Sequence, residues 1–341
     1  MSWALEVYRE YLRLKELHPK LPDKEIAKLI RRPSGGVGIS PDYLTQCKRE
    51  AKKLIAAGEA LEPKVKREGW LVSGDWHLCS LDFLPDSFRS AWEQATKWAA
   101  DEGVQLLHCV VAGDIVGGRW VYPGQSNDQA VNVPHWQAAA AAAYMQRLEE
   151  LAPPGLAIRW WVIKGNHDQV RRSGTDLALY AVMFAEELGL ACRYCHWEWV
   201  ADWGPERVLV VHGVGRSAYR PQSPSWLLSI TKRLLQLAHQ GQIIHRVVHG
   251  HSHWVSLGLN WGPVVIDSVG GWQRCSRSDL AFADRRPGMA LYVDRGDRLD
   301  AWPVYPDAGI YQEELEDDRL PVKNLELVAS LLKQAPLSRG R

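Results

Sequence analysis

Seven short apolar runs dominate the chain beyond residue 66: Trp70–Ser73, Leu106–Ala112, Trp160–Lys164, Val208–Val211, Val247–His249, Val264–Asp267 and Met289–Val293. They are too short for core helices and too evenly apolar for strands with one wet face, so they read as strands buried on both sides. Helical patterns near 86–101, 135–151, 176–188 and 225–240 lie between them. That alternation predicts an α/β domain. With 46% hydrophobic residues in 341, there is enough apolar volume for a large core. No run reaches the ~20 residues of a membrane helix, the alanine stretch 138–143 being short and flanked by polar residues. The N-terminus carries no signal-peptide pattern, and a cytoplasmic protein without a membrane partner is expected.

Residues 1–66 have a different texture. They hold 14 Lys and Arg against 9 Asp and Glu, a net of +5 in a chain whose total is +1. Apolar positions at helical spacing over 4–17, an opening at Pro22-Asp23, and Ser40 followed by Pro41 predict three helices. The last should run until Gly58. Together they suggest an all-α, helix-turn-helix-like segment, with a connection over 31–39 longer than the usual turn. After residue 305 an acidic run (Glu313, Glu314, Glu316, Asp317, Asp318) precedes one amphipathic stretch, Leu325–Leu332. The expected division is therefore 1–66, 67–305, and a peripheral tail over 306–341.

The chemistry sits where the apolar runs end. Asp75 and His77 follow the first run, Asp114 the second, and Asn166, His167 and Asp168 the third; His212 follows the fourth, and His251 and His253 the fifth. In an α/β sheet, ligand sites gather at the carboxyl ends of strands, so these residues should converge. Carboxylates, an amide oxygen and imidazoles form a mixed oxygen and nitrogen set that suits Mn²⁺, Fe or Zn²⁺ better than Ca²⁺. Seven candidate ligands are too many for one tetrahedral ion and suit two octahedral ones.

The ordered blocks Gly-Asp-Trp-His, Gly-Asp, Gly-Asn-His-Asp, His-Gly and Gly-His-Ser-His, spanning about 70–254, resemble the calcineurin-like metallophosphoesterase superfamily. The resemblance does not reach residues 1–66. It implies two packed mixed β-sheets flanked by helices. It also implies two divalent ions, with Mn²⁺ expected and Fe, Zn²⁺ or Mg²⁺ as alternatives. Asp75, His77, Asp114 and His253 would hold the first ion; Asp114, Asn166, His212 and His251 would hold the second. Two such ions make hydroxide available near neutral pH from a shared water, for in-line attack on phosphorus, and neutralise the phosphate oxygens. His167, next to ligand Asn166, is then the expected general acid for the leaving oxygen, with Asp168 orienting its ring.

Asp168 stands where the serine/threonine phosphatase branch commonly has Glu, and the stretch Gly113–Arg119 lacks that branch's second Asp. Both departures favour phosphodiesterases and nucleases. Arg119, Arg171, Arg172 and Arg216 are candidate phosphate partners, and Trp76, Trp120, Trp136, Trp254 and Trp272 candidate stacking faces. Lys48, Arg49, Lys52 and Lys53 on the third N-terminal helix are candidate contacts to a nucleic-acid backbone, DNA being favoured. The segment 270–288 resembles phage-encoded members, for which the setting would be the host cytoplasm. A phosphatase or cyclic-nucleotide phosphodiesterase with a helical docking arm, and a non-catalytic DNA-binding scaffold, are the competing readings, and a homo-oligomer stays open. Cys192, Cys195 and His196 spell C-x-x-C-H, read here as packing rather than haem or zinc chemistry.

Overall fold

The structure, a computed structural model, describes residues 7–8, 10–12, 14–15, 20–30, 39–56, 67–118, 121, 125–170, 173–213, 224–253, 255–274 and 286–335. The chain forms two compact units: residues 1–66 with 295–298, and residues 67–294 with 299–341.

In the first unit, helices α1 (Asp23–Leu29) and α2 (Pro41–Ala56) are well defined. Ser40 opens α2, its hydroxyl accepting from Tyr43 N at 3.1 Å, as the sequence predicts. Ile26, Ala27 and Ile30 pack with Ile39, Leu44 and Cys47 and with Val7, Tyr11 and Leu14 in a small core. The expected stop at Gly58 lies outside the described residues.

The second unit is a four-layer α/β/β/α sandwich. Its first sheet contains β1 (Arg67–Ser73), β2 (Val104–Ala112), β3 (Ala157–Ile163), β6 (Cys192–Tyr194), β12 (Met289–Asp294) and β13 (Leu299–Val304) in the order β13-β12-β1-β2-β3-β6. Strands β1, β2, β3 and β6 are parallel, and β12 and β13 run antiparallel at one edge. The second sheet orders β10 (Ser256–Trp261), β11 (Val264–Ser268), β9 (Arg246–His249), β8 (Glu206–Val211) and β7 (Glu198–Trp203), with β11, β9 and β8 parallel. A two-stranded ribbon, β4 (Gln169–Val170) and β5 (Thr175–Asp176), stands apart.

Alternation along the strands assigns the layers. Trp70 and Val72 of β1, with Val110 and Ala112 of β2, face Trp203, Val208, Val210 and Val248 of the second sheet. Leu71, Cys109 and Val111 point the other way, under α3 (Pro85–Asp101), α4 (Pro134–Leu151) and α5 (Leu177–Glu187). The six alanines 138–143 are all fully buried, their small side chains letting α4 sit in the middle of this layer. Helix α6 (Pro224–His239) covers the far face of the second sheet through Ile230 and Leu237.

The sequence missed β6, β7, β10, β13 and the ribbon, whose half-exposed residues give no continuous apolar run. The segment expected as a peripheral tail packs into this unit. It forms α7 (Ala308–Glu316) and α8 (Leu320–Gln334), and Val328 and Leu331 join the main core. Glu314 accepts from the backbone N–H groups of Asp86 and Ser87, each at 2.9 Å, at the start of α3, where Leu84 offers no side-chain cap.

Candidate metal centre

Every parallel strand except β6 and β11 delivers a candidate ligand from the turn just after it. The turns are tight. Asp75, His77, Asp114, His251 and His253 all have left-handed backbone, with φ between 46° and 70°. Each such non-glycine residue costs roughly 1–2 kcal/mol, so the fold holds five of them against its own preference. Two glycines make the approach possible. A Cβ on Gly165 would lie 2.0 Å from Asp114 Oδ1, and one on Gly113 2.4 Å from the His212 ring.

The seven expected ligands converge. Donor atoms of Asp75, Asp114, His212 and His251 all lie within 4.8 Å of one another, as do those of Asp75, His77 and His253, and those of His77, Asp114 and His167. Asn166 Oδ1 is 3.1 Å from His212 Nε2. His212 Nε2 is 3.0 Å from Asp114 Oδ2, and His253 Nε2 is 3.4 Å from Asp75 Oδ1. Asp75 belongs to two of these groups, so both carboxylates, not Asp114 alone, lie between the imidazoles.

The donor set fits cations. Asp75 Oδ1, both His77 nitrogens and His251 Nδ1 are buried without a hydrogen-bond partner, a concentration of unmet polar atoms that a folded protein otherwise avoids. The remaining atoms are held in place: His251 N donates to Asp75 Oδ2 at 2.6 Å, and His167 N to Asp114 Oδ1 at 2.7 Å. His212 Nδ1 lies 2.8 Å from the Ala112 carbonyl, which can only accept, so the proton that a cation would displace from the ring is the one on Nε2.

The electrostatics say the same. Burial, reinforced by neighbouring Asp114, holds the Asp75 carboxyl well above its ordinary range. Burial also opposes charging of Asp114, but His212, His167 and His77 outweigh it and pull that carboxyl well below its ordinary range. Burial would lower His212, yet Asp114 and Asp75 overcome it and raise the imidazole. Burial and the nearby His212 hold His251 down at about 3, neutral and ready to ligate. Without cations the cluster retains protons in their place; cations would displace them.

His167 sits beside this cluster, its ring centroid 4.5 Å from that of His77. Its Nδ1 is 2.8 Å from the Gly117 carbonyl, and Gln125 Nε2, which donates to that carbonyl, is 3.2 Å from Nδ1. Asp168 does not orient the ring as expected. Its fully buried carboxylate is spent on backbone, Oδ2 accepting from Gly165 N at 2.8 Å and Oδ1 from Val116 N at 3.3 Å, which ties the ligand turn together. Burial and the nearby Asp114 raise its pKa. Gly117 and Gln125 escaped the sequence reading because a backbone carbonyl has no signature and Gln125 lies in a stretch without a period.

Other expectations are corrected. Trp76 and Trp272 are fully buried, each edge-on to Phe88, and cannot stack on a base. Lys48 is committed within the helical unit: its Nζ is 2.8 Å from Asp23 Oδ2 and 4.0 Å over the Tyr11 ring. Arg49, Lys52 and Lys53 are exposed, as is Trp136. Arg119, Arg171, Arg172, Arg216, Trp120 and Trp254 lie outside the described residues. Burial raises the thiol pKa values of Cys192 and Cys195, which makes both poor nucleophiles and ligands. Among the described residues no helix is long and apolar enough to cross a membrane.

Residues 71–289 match the family model for calcineurin-like phosphoesterases. The chain belongs to this family. Calcineurin-like phosphoesterases hydrolyse phosphoesters with two divalent metals, and the clustered donors described above occupy the matched region. The DNA polymerase II small subunit of Archaeoglobus fulgidus is 31% identical over 118 residues, 32% of this chain and 22% of that protein. Its counterpart from Thermoplasma acidophilum is 30% identical over 102 residues, 29% of this chain and 19% of that protein. The chain thus spans less than a quarter of the length of these curated relatives. A solved phosphoesterase from E. coli covers 70% of this chain and all of its own length at 13% identity, with a TM-score of 0.33.

Proposed function

We propose that this calcineurin-like phosphoesterase cleaves phosphodiester bonds of nucleic acid, DNA being favoured, in a reaction that depends on two divalent ions, with Mn²⁺ as the expected metal. The observation that carries the reading is the set of buried donor atoms of Asp75, His77 and His251 left without partners around Asp114, next to a separately anchored imidazole, His167. Asp75, His77 and His253 would hold one ion, and Asn166, His212 and His251 the other, with Asp114 serving both. When bound, the pair supplies charge neutralisation on the phosphate oxygens and a water acidified toward neutral pH.

The chain's own groups do the rest. The Gly117 carbonyl accepts the Nδ1 proton of His167, which leaves Nε2 as the atom that holds a proton for the departing alkoxide. Asp168 keeps the Asn166–His167 turn closed through Gly165 and Val116. Two features favour a diester in nucleic acid over a monoester: the phosphatase branch's second Asp is missing after Asp114, and the same chain carries a basic helical unit. The relatives' description as DNA polymerase subunits agrees with a DNA substrate.

The test compares Mn²⁺-dependent cleavage of single-stranded DNA, duplex DNA, bis-p-nitrophenyl phosphate and p-nitrophenyl phosphate. Diesters should be cleaved and the monoester spared; preference for the monoester would make the protein a phosphatase, and inactivity on all four a scaffold. His167→Ala should retain both metals and lose about 10²–10⁴-fold in kcat on DNA, whose alkoxide needs a proton. It should lose far less on bis-p-nitrophenyl phosphate, whose phenolate does not. Equal losses on the two substrates would remove the acid role.

A further inference from the structure

We infer that helix α2 reads duplex DNA through the major groove, with Thr45, Gln46 and Arg49 facing base edges and Lys52 and Lys53 facing phosphates. This deepens the reading of the substrate as nucleic acid and rests on it. At about 100° per residue, positions 45, 46, 49, 52 and 53 fall within an arc of roughly 120° on one side of a helix. All five side chains are exposed. The opposite side is closed by Leu44 and Cys47, packed with Ile26 and Ala27 of α1 and with Ile30 just after it. Lys48 lies off the arc and is held by Asp23 and Tyr11, so the helix does not offer its basic residues at random. One lysine docks the helix to its own unit, and the others share a face with Thr45, Gln46 and Asp42, with Glu50 at its margin.

The order of groups along that face matters more than its charge. Residues 45–49 present a hydroxyl, a carboxamide and a guanidinium, and residues 52 and 53, about a turn further on, present two ammonium groups. A carboxamide pairs bidentately with the adenine edge and a guanidinium with the guanine edge, while ammonium groups serve phosphates as point charges. Bases read from the N-terminal part of a helix and backbone held around it is the geometry of helices in the major groove. The Thr45 hydroxyl donates to Pro41 O at 2.9 Å, which leaves its methyl and a lone pair for a base. Asp42 in the first turn is an acceptor suited to a cytosine amino group.

The test is binding, run on the full chain in EDTA so that no cleavage occurs. A random duplex library is enriched on the protein, and anisotropy compares an enriched duplex with a scrambled one, with polyglutamate as an acidic-polypeptide control. The enriched duplex should bind at least tenfold more tightly. Gln46→Ala should lower its affinity by about 5- to 150-fold and leave the scrambled duplex unchanged. Lys52→Ala and Lys53→Ala should weaken both duplexes, each lowering the slope of log K against log salt by about one. These are exposed positions and alanine favours helix, so circular dichroism of each variant should match the parent. No enrichment, equal binding of both duplexes by wild type and Gln46→Ala, or tighter binding of polyglutamate would overturn the inference. Retained Mn²⁺-dependent DNA cleavage in that event would leave the phosphodiesterase reading standing. Sequence-selective binding without cleavage would do the reverse.

Discussion

Two clusters of buried charge in the β-sandwich differ in kind. Around Arg246 the guanidinium bonds Glu206 at 2.7 Å and Asp267 at 2.6 Å, and Asp267 also accepts from Tyr292 Oη at 2.9 Å and Gly258 N at 2.6 Å. Each charge there has its opposite, and none of the charged residues is among those with left-handed backbone. Around Asp75 and Asp114 two carboxylates face each other's imidazoles across unmet donor and acceptor atoms, on backbone that sterics disfavour. Burial is the same in both. Satisfaction and strain are what separate a cluster that holds the fold from one that waits for a ligand.

Mutation should separate them in opposite directions. The largest effect is expected for Asp75→Asn: Mn²⁺-dependent cleavage falls to background, while the chelated protein melts no lower than chelated wild type, because a buried carboxyl held well above its ordinary range is gone. A drop in its melting temperature would place Asp75 among the stabilising charges. Arg246→Met should cost about 3–5 kcal/mol in urea unfolding, since Asp267 is left buried against lost charge, yet keep its cleavage rate per folded molecule. If that variant were as stable as wild type, the two clusters would no longer differ as described. Gln125→Ala should lower kcat roughly tenfold at unchanged metal stoichiometry, because Gln125 Nε2 also holds the Gly117 carbonyl that accepts from His167. Unchanged kcat would mean that Gly117 alone sets the His167 ring.

The smallest effect concerns Glu314, a buried carboxylate that caps α3 instead of meeting a cation. Burial raises its pKa above the ordinary 4.5. The folded state therefore binds its proton more tightly than the unfolded state does, so its contribution is complete below about pH 4.5 and is lost as the pH rises through the folded value. Glu314→Gln should lose less stability than wild type between pH 4 and pH 7. Parallel stability profiles would show that the two backbone N–H groups already compensate the charge.

Much of this was legible in the chain. The strands that carry ligands are buried on both faces and write continuous apolar runs, which is why β1, β2, β3, β8 and β9 and the residues after them could be read in order. Edge strands such as β7 and β10 have one wet face and left no run. Asp168 and Lys48 were misread for a common reason: residue type announces a charge, whereas the partner that consumes it comes from a distant turn or helix. Trp76 lies between two ligands in sequence, but its neighbours in space are Phe88, Tyr144 and Trp160. No pattern in the sequence could have shown the left-handed backbone at five ligand positions, because tertiary contacts impose it on residues that disfavour it.

The central claim, that the strained cluster is a two-ion site serving hydrolysis, is tested most directly by titrating metal-free full-length protein with Mn²⁺ in a calorimeter while following cleavage of a DNA oligonucleotide. Two equivalents should bind with release of protons, and cleavage should rise with occupancy and vanish in EDTA. A stoichiometry below two at saturation, or cleavage that persists in EDTA, would contradict the account.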